Sequence, residues 1–235
     1  MKKKGLSNYF SPFEITLWSA SIVIILISFI LGSEKDYLTL IASLIGATFL
    51  ILNAKGNVWG QVLTVIFSIL YGIISYSNAY YGEMITYLGM TAPIALASVI
   101  SWIKNPAEEG KNEVKVNDLS IGEYIFLLFL GLIITVIFYH ILKCFNTGEL
   151  LISTISVFTS FVASYLTLRR SEYYALAYAA NDVVLIILWL IAMQNNKGYI
   201  SVVICFVVFL INDLYGYYSW LRMKKVQANI KTASV

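Results

Sequence analysis

"IGEYIFLLFLGLIITVIFYHIL", residues 121–142, carries one acidic side chain, Glu123, and is otherwise almost wholly apolar. A hydrocarbon layer of roughly 30 Å takes about 20 such residues as a helix, so this run by itself is long enough to cross one. Seven further runs have similar character: 14–31, 37–53, 58–76, 83–103, 150–167, 173–193 and 199–221. Only 12% of the chain is charged, where soluble domains are nearer roughly a quarter, and mean hydropathy is +0.78. The runs lack the polar stripe at helical spacing that a soluble bundle needs. The chain therefore reads as an all-α polytopic membrane protein with eight transmembrane helices. The run 37–53 is short, and 83–103 contains Pro93. A proline is tolerated there if neighbouring helices satisfy the freed carbonyl, and it predicts a kink.

Lys and Arg in the loops set the orientation. Alternating sides along eight spans puts Lys2, Lys3, Lys4, Lys55, Lys104, Lys111, Lys115, Arg169, Arg170, Arg222, Lys224, Lys225 and Lys231 together. Of the 16 basic residues only Lys35, Lys143 and Lys197 fall on the other side. Both termini are expected to be cytoplasmic, in a multi-pass protein of the inner or plasma membrane. The net charge of +3 follows from this topology and implies no nucleic-acid partner. "MKKK" followed by an apolar stretch resembles a signal sequence, but the run to Leu31 is long and "GSEKD" offers no small-x-small cleavage site. An uncleaved anchor helix is expected. Cys144 and Cys205 suggest neither a disulfide framework nor a metal site.

One hydrophilic loop of any size, "NPAEEGKNEVKVNDLS" at 105–120, splits the chain near its middle. The spans on either side form two triplets with a shared layout. Each has a basic turn, at Lys55 or at Arg169 and Arg170, and each ends in Ser-Trp and a nearby cation, at Trp102 and at Trp220. A three-helix unit ends on the opposite side from where it starts, so a linker helix between two copies makes them parallel. The expected layout is a single integral membrane domain, 1–235. It divides into an extra helix at 1–35, a first three-helix repeat at 36–104, and a loop with linker helix at 105–145. A second repeat at 146–225 and a tail at 226–235 follow. Parallel repeats of this kind place a substrate site near mid-membrane, at their interface.

Within that frame, "AANDVVLIILW" (179–189) and "LINDLYGYYSW" (210–220) each bury an Asn-Asp pair in apolar sequence, with no Lys or Arg beside it. At ~1.5 Å per residue, Asp182 lies close to the midplane, and Asn212 and Asp213 at similar depth. An ionised Asp there costs roughly 2.5–3.5 kcal/mol, so Asn181, Asp182, Asn212 and Asp213 should face the interior or a wet cavity. A purely bracing hydrogen bond between helices is the competing account, and one Asp carrying a proton is a further one. Tyr174, Tyr178 and Tyr215 flank the pairs, with Tyr178 and Asp182 on one helical face. Rings beside a carboxylate and an amide suit a flat, polar, cationic ligand. In the first triplet Gln61, Thr64, Ser68, Tyr71, Ser75, Thr86 and Tyr87 are the deeper polar residues, of which Gln61, Tyr71 and Thr86 join the candidate site. Both carboxylates are expected on the second triplet. His140 reads as an interfacial histidine. HExxH, GxSxG and Walker-type loops are absent from the sequence, so no cofactor, metal or catalytic residue is assigned.

"FSPFE" (10–14), "LNAKGNVWGQ" (52–61), "YYGEMITYLGMTAPI" (80–94) and "LINDLYGYYSWLRMKK" (210–225) together resemble the PnuC-type vitamin transporters, the nicotinamide riboside uptake family, over nearly the whole chain. The resemblance implies a 3 + 1 + 3 core related to the sugar-transporting SWEET proteins, and a homotrimer. It further implies facilitated diffusion, with the substrate trapped by a cytoplasmic kinase. The chain departs from the family pattern in carrying "YYALAY" (173–178) where paired tryptophans are usual, and Thr86 where Asn is common. Carriers of thiamine, riboflavin and deoxynucleosides belong to the same family, so these remain alternatives. So does a substrate-capture subunit serving a separate ATP-driven module, whereas an intramembrane enzyme would need a nucleophile or metal set that the sequence lacks.

Overall fold

A computed structural model describes residues 9–31, 35–77, 80–108, 112–195 and 199–233. Eight of its helices are long and apolar enough to cross a membrane. They are α1 (Pro12–Leu31), α2 (Tyr37–Ala54), α3 (Val58–Ser77), α4 (Tyr81–Ile103), α5 (Ile121–Cys144), α6 (Leu150–Leu168), α7 (Tyr174–Asn195) and α8 (Ile200–Ala233). The starts follow from local chemistry. Ser11 and Glu14 form a reciprocal cap on α1, with the Glu14 amide donating to Ser11 Oγ and the Ser11 amide to Glu14 Oε2, and Pro12 opens the helix. Asp36 caps α2 by accepting from the amides of Leu38 and Thr39, and Ser120 caps α5 through the Glu123 amide.

Six helices close into a ring. In order round it, α2 packs on α3, α3 on α4, α4 on α6, α6 on α7, α7 on α8, and α8 back on α2. α5 leans on α6 from outside, and α1 packs on α2 and α8. The outer position of α5 explains its sequence: Ile125, Phe126, Phe129, Leu132, Val136 and Ile137 are all exposed on it, as a lipid-facing helix requires.

The kink expected at Pro93 takes the form of a π-helical turn, Tyr87–Thr91, in which the Ala92 amide donates to the Tyr87 carbonyl. Proline has no amide hydrogen and crowds the carbonyl four residues earlier. A local slip of the ladder by one residue accommodates it. A second difference lies at the end of the chain. Residues 226–233, expected to be a tail, continue α8, and Gln227 Nε2 donates to Glu113 Oε1 and to the Val114 carbonyl.

The basic loops gather at one end of the bundle. The Val114 amide donates to the Gly56 carbonyl and the Asn117 amide to the Arg170 carbonyl. Lys224 pairs with Glu172 and Asp118, and Lys55 with Glu14. Lys2, Lys3, Lys4, Lys111 and Lys197 of the charge pattern lie outside the described residues.

Two turns at this end share three backbone hydrogen bonds and differ in a fourth, the Lys55 amide donating to the Leu52 carbonyl whereas the Arg169 amide reaches that of Tyr165. The Gly56, Asn57 and Gly60 amides donate to the Asn53, Leu52 and Asn57 carbonyls. The Arg170, Ser171 and Tyr174 amides donate to the Thr167, Leu166 and Ser171 carbonyls in the same pattern. Gly56 and Arg170 hold the same left-handed backbone, φ 62° and 59°. The two Ser-Trp pairs cross over between the triplets. Trp102 Nε1 donates to the Thr167 carbonyl (3.0 Å) and Ser101 Oγ to the Leu168 carbonyl. Trp220 Nε1 donates to the Asn53 carbonyl (2.8 Å) and Ser219 Oγ to the Ala54 carbonyl. Each indole thus bonds a carbonyl at the end of the other triplet's first helix, and both tryptophans are fully buried.

Trp102→Phe and Trp220→Phe should each lower stability by about 1–3 kcal/mol, because each keeps the ring and removes the buried donor. Melting temperatures of the two purified variants in detergent should fall by similar amounts. A loss confined to one of them would show that the clamps are not equivalent.

Candidate substrate site

Inside the ring, between the Ser-Trp clamps and the opposite end, lies a cavity of about 40 Å³. α2 supplies Phe49, Leu50 and Asn53, and α3 supplies Gln61, Thr64, Phe67 and Ser68. From α4 come Tyr87 and Thr91, from α7 Tyr174, Tyr178, Asn181 and Asp182, and from α8 Phe206, Phe209 and Asp213. Both triplets therefore line it.

The two carboxyls meet here. Asp182 and Asp213 lie within hydrogen-bonding reach of each other across α7 and α8, and both are buried. Asp182 Oδ2 has no hydrogen-bond partner. The other polar groups are held in place. Asn181 Oδ1 accepts from Thr159 Oγ1 (2.8 Å) and Ser160 Oγ (2.9 Å), and Tyr178 pairs with Ser164 (3.2 Å). Gln61 Nε2 donates to Asn53 Oδ1, whose Nδ2 donates to Thr64 Oγ1. An amide–amide–hydroxyl chain thus faces the carboxyl pair.

Aromatic rings close the cavity at both ends. Toward the basic loops Tyr174 packs edge-on to Trp220 at 4.7 Å, and Trp220 on Trp102 at 5.5 Å. At the other end Tyr71 lies against Phe67, Tyr87 and Phe206. It accepts a 2.7 Å hydrogen bond from Trp189 Nε1, and Trp189 packs against Tyr80 and Tyr199.

Of the residues read from the sequence, the cavity brings together Asn181, Asp182, Asp213, Tyr174, Tyr178 and Gln61. Four others lie elsewhere. Asn212 points away from the cavity, toward α1, where its Nδ2 donates to Ser21 Oγ and the Val208 carbonyl. Successive helical residues point about 100° apart, so the neighbour of a cavity-facing Asp213 must look elsewhere. Tyr215 sits at the basic end and donates to Glu14 Oε1 (2.8 Å). Tyr71 belongs to the closing aromatic layer. Thr86 is buried but lines no part of the cavity, and its neighbour Tyr87 does.

Sequence reading missed Asn53, Thr91 and the rings of Phe49, Phe67, Phe206 and Phe209. Asn53 was visible as an amide in the last turn of an apolar run, although its position by a loop disguised it. It also placed every deep carboxylate on the second triplet. Glu83 corrects this, being 1% exposed on α4 and accepting from Ser156 Oγ.

Eight membrane-crossing helices, six of them round a small polar and aromatic chamber sealed at both ends, define a carrier-like membrane protein. The comparisons agree. The family model described as nicotinamide mononucleotide transporter matches residues 36–222, and the chain belongs to that family. It is similar to the nicotinamide riboside transporter PnuC of Neisseria mucosa, at 25% identity over 82% of this chain and 75% of that one. The corresponding transporter of Haemophilus influenzae is 22% identical, over 96% of each. A crystal structure of the vitamin B3 transporter PnuC superposes with a TM-score of 0.81 at 22% identity, covering 93% of this chain and 94% of that one.

If Asn212 braces α1, its coupling to Ser21 is the measurable term. A double-mutant cycle of Asn212→Ala and Ser21→Ala, followed by melting temperature, should give a coupling of roughly 0.6 kcal/mol, the average for hydrogen bonds between membrane helices. Additive effects would exclude the brace.

Proposed function

We propose that this chain carries nicotinamide riboside, a nucleoside-like vitamin and NAD precursor, across the membrane by facilitated diffusion, and that phosphorylation by a cytoplasmic kinase traps it. One observation carries the choice of cargo: the cavity lining includes two carboxyls, three amides and several rings but no Lys or Arg. A pyridinium nucleoside is flat, cationic and rich in hydroxyls, which suits rings, carboxyls and amides in turn. A mononucleotide adds a phosphate of about −1.5 to −2 charge. Phosphate recognition calls for Arg, Lys or a helix N-terminus, and the same cavity would repel it. The family description mentions the mononucleotide and the named relatives the riboside, and the lining favours the riboside. Exclusion of the phosphorylated product is also what makes trapping effective.

The internal architecture follows the same reading: two parallel three-helix units, α2–α4 and α6–α8, joined by α5, with the cargo between them. The matched turns and the crossed Ser-Trp clamps support this. Orientation follows the basic end, placed in the cytoplasm.

Calorimetric titration tests the cargo. Nicotinamide riboside should bind and its mononucleotide should not. Asp182→Asn should weaken the riboside by ten- to a hundredfold, equivalent to the roughly 1.5–3 kcal/mol of a charge-assisted hydrogen bond. Tyr178→Leu should weaken it and Tyr178→Trp should be tolerated. Liposomes holding only this protein should take up riboside with neither ATP nor an ion gradient. An ATP requirement would point to a capture subunit, and loss of exchange on collapsing a proton gradient would make Asp182 a coupling residue.

Topology has a built-in probe. Cys144 is exposed, at the end away from the basic loops, and Cys205 is buried. An impermeant maleimide applied to intact cells should label the wild type, should fail on Cys144→Ser, and should fail again when Asn112→Cys is added. Labelling at Asn112→Cys from outside would invert the topology.

A further inference from the structure

Glu83 is a third carboxyl inside the ring, and the central cavity does not use it. It is 1% exposed. One oxygen accepts from Ser156 Oγ at 2.8 Å, and Oε2 has no hydrogen-bond partner. Among the described residues no Lys, Arg or His forms an ion pair with it. Thr86, one turn along α4 and fully buried, likewise has an unpartnered Oγ1. A brace between α4 and α6 needs only a neutral partner for Ser156. A carboxyl with a spare oxygen in the low-dielectric interior is a costly way to make that bond.

The position of Glu83 relative to the cavity is set by α6. Ser153, Ser156, Ser160 and Ser164 recur at three- and four-residue spacing, so they lie on one face of the helix, and all four are buried. Ser156 bonds Glu83, Ser160 bonds Asn181, and Ser164 bonds Tyr178. Each four-residue step is about 6 Å along the axis. Glu83 thus stands one step beyond Asn181, on the side away from the basic loops, and the serine face links it to Asn181 and Tyr178, which line the cavity. Tyr87, a cavity residue, stands four residues after Glu83 along α4, and its ring lies 4.4 Å from that of Tyr71.

We propose that Glu83, with Thr86 and Ser156, is a separate binding station for the cationic group of the substrate, met before the central cavity and joined to it along the serine face of α6. The proposal rests on the riboside reading above. The pyridinium ring supplies the positive charge that the carboxyl lacks, Tyr71 and Tyr87 supply ring faces, and Thr86 supplies a hydroxyl for the ribose. Passage from Glu83 to Asp182 then moves a cation from one carboxyl to the next, so that it is not left without a counter-charge in a medium of low dielectric constant.

The test compares nicotinamide riboside with its uncharged 1,4-dihydro form, which keeps the ribose and nearly the same size. Uptake of both is measured in liposomes containing the full-length protein. Glu83→Gln should lower the ratio of cationic to neutral uptake by about tenfold or more, and Glu83→Asp should hold it near the wild-type value. An unchanged ratio in Glu83→Gln, or an equal fall for both probes with a lowered melting temperature, would overturn the station and leave Glu83 as a brace. Should Glu83→Gln fail to fold, the wild type still decides. Labelling of Glu83 by a hydrophobic carbodiimide, read by peptide mass spectrometry, should be slowed by the riboside and not by its dihydro form; equal protection by both overturns the proposal. If the wild type carries neither probe, the riboside reading falls and the station with it. If it carries the riboside while Glu83→Gln keeps the wild-type ratio, only the station falls.

Discussion

Hydrocarbon offers no partner to a polar group, so polar side chains in the spans turn toward the protein interior, where most of them find one. The arrangement of the six-helix ring follows from that constraint. Helices α2, α3, α6, α7 and α8 turn amides, hydroxyls and carboxyls inward and leave Ile, Leu and Val outside. The buried serine face of α6 is the plainest case: its hydroxyls bond Glu83, Asn181 and Tyr178 in succession, and so hold α4 and α7 at fixed heights against it. α5 has no such face and stays outside the ring.

The same constraint applies at the helix ends, where carbonyls lose their partners within the helix. At the basic end the carbonyls of Asn53 and Thr167 receive indole donors from Trp220 and Trp102. Because each donor comes from the other triplet, satisfying the end of one helix also ties the two halves together. Val114 is wholly buried beside these tryptophans and Met223. The segment 113–117 of the hydrophilic loop is therefore fixed across this end, and Gln227 on the extended α8 holds it there.

Span number was legible because length and hydropathy act locally along the chain. Asp182 and Asp213 were legible as inward-facing, cavity-lining residues because a carboxylate in an apolar run has few tolerable places to point. Asn212 was not, since an amide is cheap enough to serve as a brace and its spacing to Asp213 cannot say which of the two faces the cavity. Tyr215 misled for a related reason: the span was taken to end at 221, which put the tyrosine deep, whereas α8 runs on to Ala233 and Tyr215 meets Glu14 at the basic end. Glu83 escaped notice because it stands two residues inside its helix, where an acidic residue ordinarily faces water and favours the helix N-terminus. Ser156 bonds it, and Thr147 and Leu142 pack over the adjacent Gly82.

The chamber is much smaller than the proposed cargo. A volume of about 40 Å³ holds a few waters at most, while pockets for drug-sized ligands run to roughly 300 Å³ or more. Space must come from the rings, because the polar groups are tied to neighbouring helices by the bonds described above. Phe67, Tyr87, Phe206 and Phe209 pack against each other or Tyr71 with centroids 4.4–6.1 Å apart, and no hydrogen bond fixes their orientation. Displacing these rings exchanges ring–ring contact for ring–ligand contact of the same kind, at little net cost. The two closing layers differ in this respect. Trp189 is bonded to a side chain, Tyr71 Oη, which can swing with it, whereas Trp102 and Trp220 are bonded to main-chain carbonyls of the opposite triplet. Opening toward the basic end would therefore break main-chain bonds between α4 and α6 and between α8 and α2. Opening at the other end needs only the Tyr71–Trp189 pair and the rings beside it to turn, and that is the end at which Glu83 stands.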